Sequence, residues 1–229
     1  MAINTKAIKN RIQSITSTKK ITKAMEMVSA AKMRKSVEAT LNTRTYANMA
    51  REFMTHLAHI DKKPDYELLN VRPVKNLLII LISSNRGLCG SFNSNIAKKT
   101  LTALLDINKI ATQYVKGDDN ILPEKDVNIS VIGVGSKSAV FAKKNGYNLI
   151  AVYDKLSESK RFEDILPISR MIIDGYKKGA YDKVVIAFTD YKSSLTQEPK
   201  IKQLLPVSAS DLEEMITDLG KNEDSEKQA

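Results

Sequence analysis

Three short stretches of this 229-residue sequence hold residue types that could do chemistry. The first is Gly133-Val-Gly-Ser-Lys-Ser138, which leaves an apolar run and opens a helical one. A glycine turn between strand and helix lets backbone amides approach a pyrophosphate. Here Ser138 stands where that fingerprint has its third glycine, and the acidic residue for a ribose could only be Asp154. The second stretch is Ser83-Ser-Asn-Arg-Gly-Leu-Cys-Gly-Ser-Phe-Asn93, whose Gly87 and Gly90 could bend amides around an anion. No Gly-Lys-Ser/Thr follows, so it is not a nucleoside-triphosphate loop. Cys89 would need a base to act as a nucleophile, and no histidine follows it in the chain. The third is His56 with His59, which with a single cysteine make no recognisable zinc spacing. We expect no catalytic residue, no cofactor and no metal. The alternative is a nucleotide-binding α/β enzyme with a helical arm, and it rests on Gly133–Ser138.

Charge is distributed more tellingly than the motifs. The formal net charge is +10. Residues 1–60 carry eleven lysines and arginines against three glutamates, so +8 lies in about a quarter of the chain. Such a segment must meet something acidic: nucleic acid, an anionic membrane or an acidic protein face. A DNA-binding basic helix is normally followed by a sustained zipper, and here an α/β pattern follows instead. No nucleic-acid partner is expected. The longest apolar run, Leu77–Ile82, is six residues and suits a buried strand, not a bilayer span. The N-terminus has no continuous apolar core of the secretory kind. Cys89 is the single cysteine, which excludes an intrachain disulfide.

The elements that would carry these residues follow from periodicity. Residues 3–59 contain neither glycine nor proline, so nothing interrupts a helix, and Asn4 or Thr5 could cap it. Ile8, Ile12 and Ile15 fall at coiled-coil spacing, and Ile21, Met25 and Val28 resume it after the apolar gap Thr16–Lys20. The stripe is narrow, so the helix must project and pack on another helix. Met25, Met27 and Met33 fit equally as seam residues and as adaptable contacts. Beyond a linker at 61–73, strands at Val74–Ser83, Asp126–Gly133, Leu149–Tyr153 and Lys183–Thr189 alternate with helices at Asn95–Lys116, Ser136–Asn145 and Phe162–Lys178. Gln197–Val207 reads as an antiparallel edge strand. This order predicts an α/β fold: a long coiled-coil helix, then a doubly wound, mostly parallel, Rossmann-like sheet. The expected divisions are a helix at 1–60, a linker at 61–73, an α/β domain at 74–219 and a polar tail at 220–229. A last short helix is expected at 209–219.

Two long stretches carry a family resemblance. Ile8-Lys-Asn-Arg-Ile-Gln-Ser-Ile15, followed by Thr18-Lys-Lys-Ile-Thr-Lys-Ala-Met-Glu-Met-Val-Ser-Ala-Ala-Lys-Met-Arg-Lys35, resembles the N-terminal helix of ATP synthase γ subunits. Ser84-Asn-Arg-Gly-Leu-Cys-Gly90 is similar to that family's loop after the first strand. The resemblance implies a non-catalytic rotor subunit of an F-type ATP synthase. Its helix would turn inside a hexamer of α and β subunits. Its α/β domain would dock on ε and on the membrane c-ring, whose proton-driven rotation it would carry to the β subunits. It places Lys20, Ile21, Lys23, Met25, Glu26 and Val28 against the acidic levers of β. Asn85, Arg86, Gly87, Leu88 and Gly90 would make contacts at the ring base or rotor foot. The protein would lie on the cytoplasmic face of a bacterial cell membrane, peripheral and held there only through the complex. In the family a long C-terminal helix pairs with the N-terminal one. Here Leu205-Pro-Val is followed by a tail ending Asn222-Glu-Asp-Ser-Glu-Lys-Gln-Ala229, so the expectation is a truncated or fragmentary γ chain, the alternatives being a helix supplied by a second polypeptide or a degenerate protein.

Overall fold

The computed structural model describes residues 5–58, 67–113, 121–157, 162–193 and 195–207. The expected helix at 209–219 and the tail at 220–229 lie outside them, as does His59. The chain falls into two units, Met1–Ala50 and Arg51–Ala229.

The long helix, α1, runs unbroken over Thr5–Ala58, 54 residues or roughly 80 Å. Its passage through the apolar gap has a local reason. The hydroxyls of Thr16, Thr18 and Thr22 donate to the carbonyls of Ile12, Ser14 and Thr18 at 2.8, 3.0 and 2.9 Å. These bonds satisfy the hydroxyls within the helix while leaving it unbroken, although such back-bonding slightly destabilises and tends to bend a helix.

The α/β unit holds five strands: β1 (Asn76–Ile82), β2 (Asn128–Val134), β3 (Asn148–Tyr153), β4 (Lys183–Tyr191) and β5 (Gln197–Leu205). Their order is β3-β2-β1-β4-β5. All neighbours are parallel except β5, which runs antiparallel to β4 at the edge. β1 is central because its side chains can bury on both faces: Leu77–Leu81 are all at most 5% exposed. Helices α2 (Phe92–Leu105), α3 (Ile107–Ala111) and α4 (Ser136–Lys144) supply Ile96, Leu104, Ala111 and Ala142 to one face. Helix α5 (Leu166–Lys177) covers the other with Ile168, Ile172 and Tyr176. The architecture is the predicted doubly wound one.

Two predicted helices are corrected. The single helix expected at Asn95–Lys116 is two helices, broken at Asp106, whose carboxylate accepts from the Lys109 amide at 3.3 Å and starts a new turn. Lys116 is outside the described residues. The helix expected at Phe162–Lys178 opens as a 3-10 turn at Phe162–Asp164 and becomes α5 only at Leu166. Pro167 explains the restart, because it has no amide for a helix continuing from Phe162 to bond, whereas in a first turn that amide is unused.

Tyr176 lies at the base of this core, fully buried, with its hydroxyl donating to the Asn70 carbonyl at 2.8 Å. Burial pushes its pKa from 10.0 up to about 12; nearby Arg72 opposes the rise and Asp182 adds to it. The folded domain therefore prefers the neutral phenol. That preference contributes fully below pH 10 and is lost as pH rises from 10 towards about 12, since the unfolded chain ionises first. Urea midpoints measured between pH 9 and pH 11.5 are expected to fall, and to fall less steeply in Tyr176→Phe. Equal slopes in the two proteins would contradict this.

Candidate functional site

Two surfaces stand out, one on each unit. On α1 the predicted stripe is bare: Ile12, Ile15, Ile21 and Met27 are each about 60% exposed. Large exposed apolar side chains repeated along one helix suit an interaction face. Lys20, Ile21, Lys23, Met25, Glu26 and Val28 are all exposed on this stretch of α1. Lys23 pairs with Glu26 at 3.0 Å, both side chains nearly two-thirds exposed. A pair so open to water contributes little, so it can be exchanged for a partner's charge.

The second surface is the loop at 83–91, between β1 and α2. Its base is stitched to the turn between β2 and α4. The Ser83 amide donates to the Val134 carbonyl at 2.8 Å, and the Ser83 hydroxyl accepts from the Ser138 amide at 2.8 Å. The Asn85 carboxamide oxygen accepts from the Ser136 amide at 3.0 Å, while its nitrogen donates to the Asp154 carbonyl at 2.7 Å. The Asn93 side chain accepts from the Ser84 amide at 3.0 Å and donates to the Cys89 sulfur at 3.0 Å.

Above this base the loop is uncovered. Leu88 is 96% exposed and sits at φ 61, a left-handed backbone that a leucine seldom adopts. Arg86, Gly87 and Gly90 are exposed beside it, and a Cβ placed on either glycine would meet nothing within 4 Å. A rigid base that holds a strained, bare apolar tip suits contact with another surface. Of the five loop residues read from sequence, four form the bare tip. Asn85 instead spends its polar atoms on holding it.

The same stitching decides the fate of the dinucleotide fingerprint. The amide of Gly135 donates to Tyr153, that of Ser136 to Asn85, that of Lys137 to Ser84, and that of Ser138 to Ser83 and Gly135. The donors that would cradle a pyrophosphate are thus engaged within the fold. The glycines serve packing: a Cβ on Gly133 would lie 2.1 Å from the Ser138 hydroxyl, and one on Gly135 2.2 Å from the Ser83 carbonyl oxygen. Asp154 accepts from its neighbour's amide at 2.7 Å. Ser83, Asn93 and Ser138, which organise the loop, carry no sequence signal beyond their place in these motifs.

Comparison with known proteins bears on the family. The ATP synthase family profile matches residues 4–229. The chain belongs to the ATP synthase gamma family. It is 34% identical over 200 residues to the ATP synthase gamma chain of Desulforamulus reducens, covering 87% of this chain and 64% of the relative. It is 32% identical over 206 residues to that of Legionella pneumophila (strain Paris), covering 90% and 66%. The chain thus spans a little under two thirds of the length of these gamma chains. Its fold is similar to a chain in the rotor of the Euglena gracilis mitochondrial ATP synthase, with a TM-score of 0.50 and 15% identity. That match covers 92% of this chain and 65% of the other.

Proposed function

We propose that this chain is the central rotor subunit of an F-type ATP synthase and carries torque without catalysing a reaction. The observation that carries the reading is α1: 54 unbroken residues, a bare apolar stripe and most of the chain's net positive charge. A shaft must be stiff, and a continuous helix paired with another is stiff. It must also pass several similar acidic faces without locking onto one, which unbranched methionine side chains and exposed charge permit. Lys20, Ile21, Lys23, Met25, Glu26 and Val28 would face the levers of the β subunits. Arg86, Gly87, Leu88 and Gly90, braced by Asn85, would meet the base of the α/β hexamer or the rotor foot.

In this reading residues 1–60 are the shaft, 61–73 the linker, 74–219 the docking domain and 220–229 a tail. The partners are the α and β subunits, ε and the c-ring, at the cytoplasmic face of a bacterial membrane. Among the described residues no helix is long and apolar enough to cross a membrane, so attachment would run through the c-ring. Coupling would follow from differential contact with the β states, which any linkage between sites requires.

The loop gives a clean test. Leu88→Asn suits the left-handed backbone, as asparagine tolerates it, while removing the apolar tip. Thermal stability is expected to change by at most ~0.5 kcal/mol. Affinity for the α/β hexamer, measured by titration, is expected to drop about tenfold. Unchanged affinity would remove the loop from the interface.

A further inference from the structure

The segment that brings the chain from α1 into the sheet is held far more firmly than a linker requires. Residues 67–75 contain only a 3-10 turn at Glu67–Leu69. Yet the carbonyl of Leu68 accepts from the Val207 amide at 3.1 Å, that of Asn70 from the Tyr176 hydroxyl at 2.8 Å, and that of Arg72 from the Gln113 side chain at 3.1 Å. The carbonyls of Val74 and Lys75 accept from the amides of Glu124 and Asn128 at 3.0 and 2.8 Å. β4, β5, α5 and the approach to β2 all converge on this stretch.

Its centre is one ion pair. Arg72 Nε donates to Asp182 Oδ1 at 2.6 Å, and its Nη2 donates to the carbonyls of Tyr176, at 3.0 Å, and Tyr181. The guanidinium lies 4.7 Å from the Tyr176 ring centre. The other oxygen of Asp182 accepts from the amides of Lys75 and Asn76 at 3.1 and 2.8 Å. Gln113 ties the two together, donating to the carbonyls of both Arg72 and Asp182 at 3.1 Å. Asn76 opens β1 and Asp182 immediately precedes β4, the two adjacent parallel strands in the middle of the sheet.

We propose that Arg72 and Asp182 are positioning residues forming the mechanical joint at which force carried along the chain from the N-terminal helix enters the α/β domain. Load arriving at Arg72 reaches β1 and β4 together, at the same end of both. It is then shared by two neighbouring strands, so that drawing both out would shear the ladders to their outer neighbours β2 and β5, where many hydrogen bonds must fail at once. Without the joint, load would reach β1 alone through the backbone, and the segment 67–75 could peel off one bond at a time. The inference rests on the rotor reading for its biological purpose, but its test needs no partner subunit.

The full chain, with Cys89→Ser, is held by thiols introduced as Met49→Cys and Leu195→Cys, both at exposed positions, and pulled in an optical trap. The expected result is a domain that yields without an earlier step for the linker. In Arg72→Gln, an early extension of at most roughly 30 Å, the extended length of about nine freed residues less the distance they already span, should precede domain failure at lower force. Ile168→Val serves as a control that weakens the core away from the joint. It should lower the force of domain failure without adding the early step. If Arg72→Gln adds no early step, or if Ile168→Val adds the same one, the joint is overturned. Either outcome is independent of whether the chain enters an α/β hexamer.

Discussion

Replacing Asp182 with alanine is expected to lower the stability of the α/β domain by ~3–5 kcal/mol, the range for breaking a buried, hydrogen-bonded ion pair. Both carboxylate oxygens are in use, and the side chain is only 10% exposed. Its loss would strand the Arg72 guanidinium, whose side chain is 32% exposed, together with two amides at the start of β1. Unsatisfied donors in such a site carry their full desolvation penalty. For a domain of this size the melting temperature should fall by roughly 10 °C or more. Asp182→Asn keeps one acceptor oxygen and should lose about half as much. A melting temperature within a degree or two of wild type in Asp182→Ala would show that the network contributes nothing net.

Gly135→Ala should be comparably damaging for a different reason. Gly135 sits at φ 89, and an added Cβ would lie 2.2 Å from the Ser83 carbonyl oxygen and 2.8 Å from its carbon. Ser83 cannot step aside without breaking its amide bond to Val134 and its hydroxyl bond to the Ser138 amide. Backbone strain and this overlap together are expected to cost about 3 kcal/mol or more and to loosen the 83–91 loop. Gly90, at φ 57 but facing open space, sets the scale for backbone strain alone. Gly90→Ala should cost about 1–2 kcal/mol. Chemical denaturation of both variants separates the two effects, and equal losses would mean that the contact with Ser83 is easily relieved.

What the sequence disclosed depended on how local its cause was. The 54-residue helix was legible because its evidence is an absence of breakers over the whole stretch and a stripe that repeats. The central strands were legible because runs such as Leu77–Ile82 have no solvent-facing alternation, as central parallel strands demand, and the edge strands because short apolar stretches recur between turns. The break at Asp106 was not, since an aspartate inside an apolar-periodic run reads as a solvated helix position until its side chain is seen capping Lys109. Gly133–Ser138 looked like a weak ligand site because glycine turns look alike whether amides face a phosphate or the chain itself. Only the bonds from Ser83, Ser84 and Asn85 separate the cases. Arg72 and Asp182 were invisible, being 110 residues apart with no motif around either.

The most direct measurement is reconstitution with α and β subunits of the same source, alone and with the C-terminal helix of a gamma chain added. ATP-driven rotation is followed through a bead attached at Leu195→Cys. If the chain is the rotor shaft, it enters the hexamer in at least one of the two mixtures, and the bead turns in one direction while ATP is hydrolysed. If it enters neither mixture, with the domain folded and the hexamer active, the chain is not a rotor subunit.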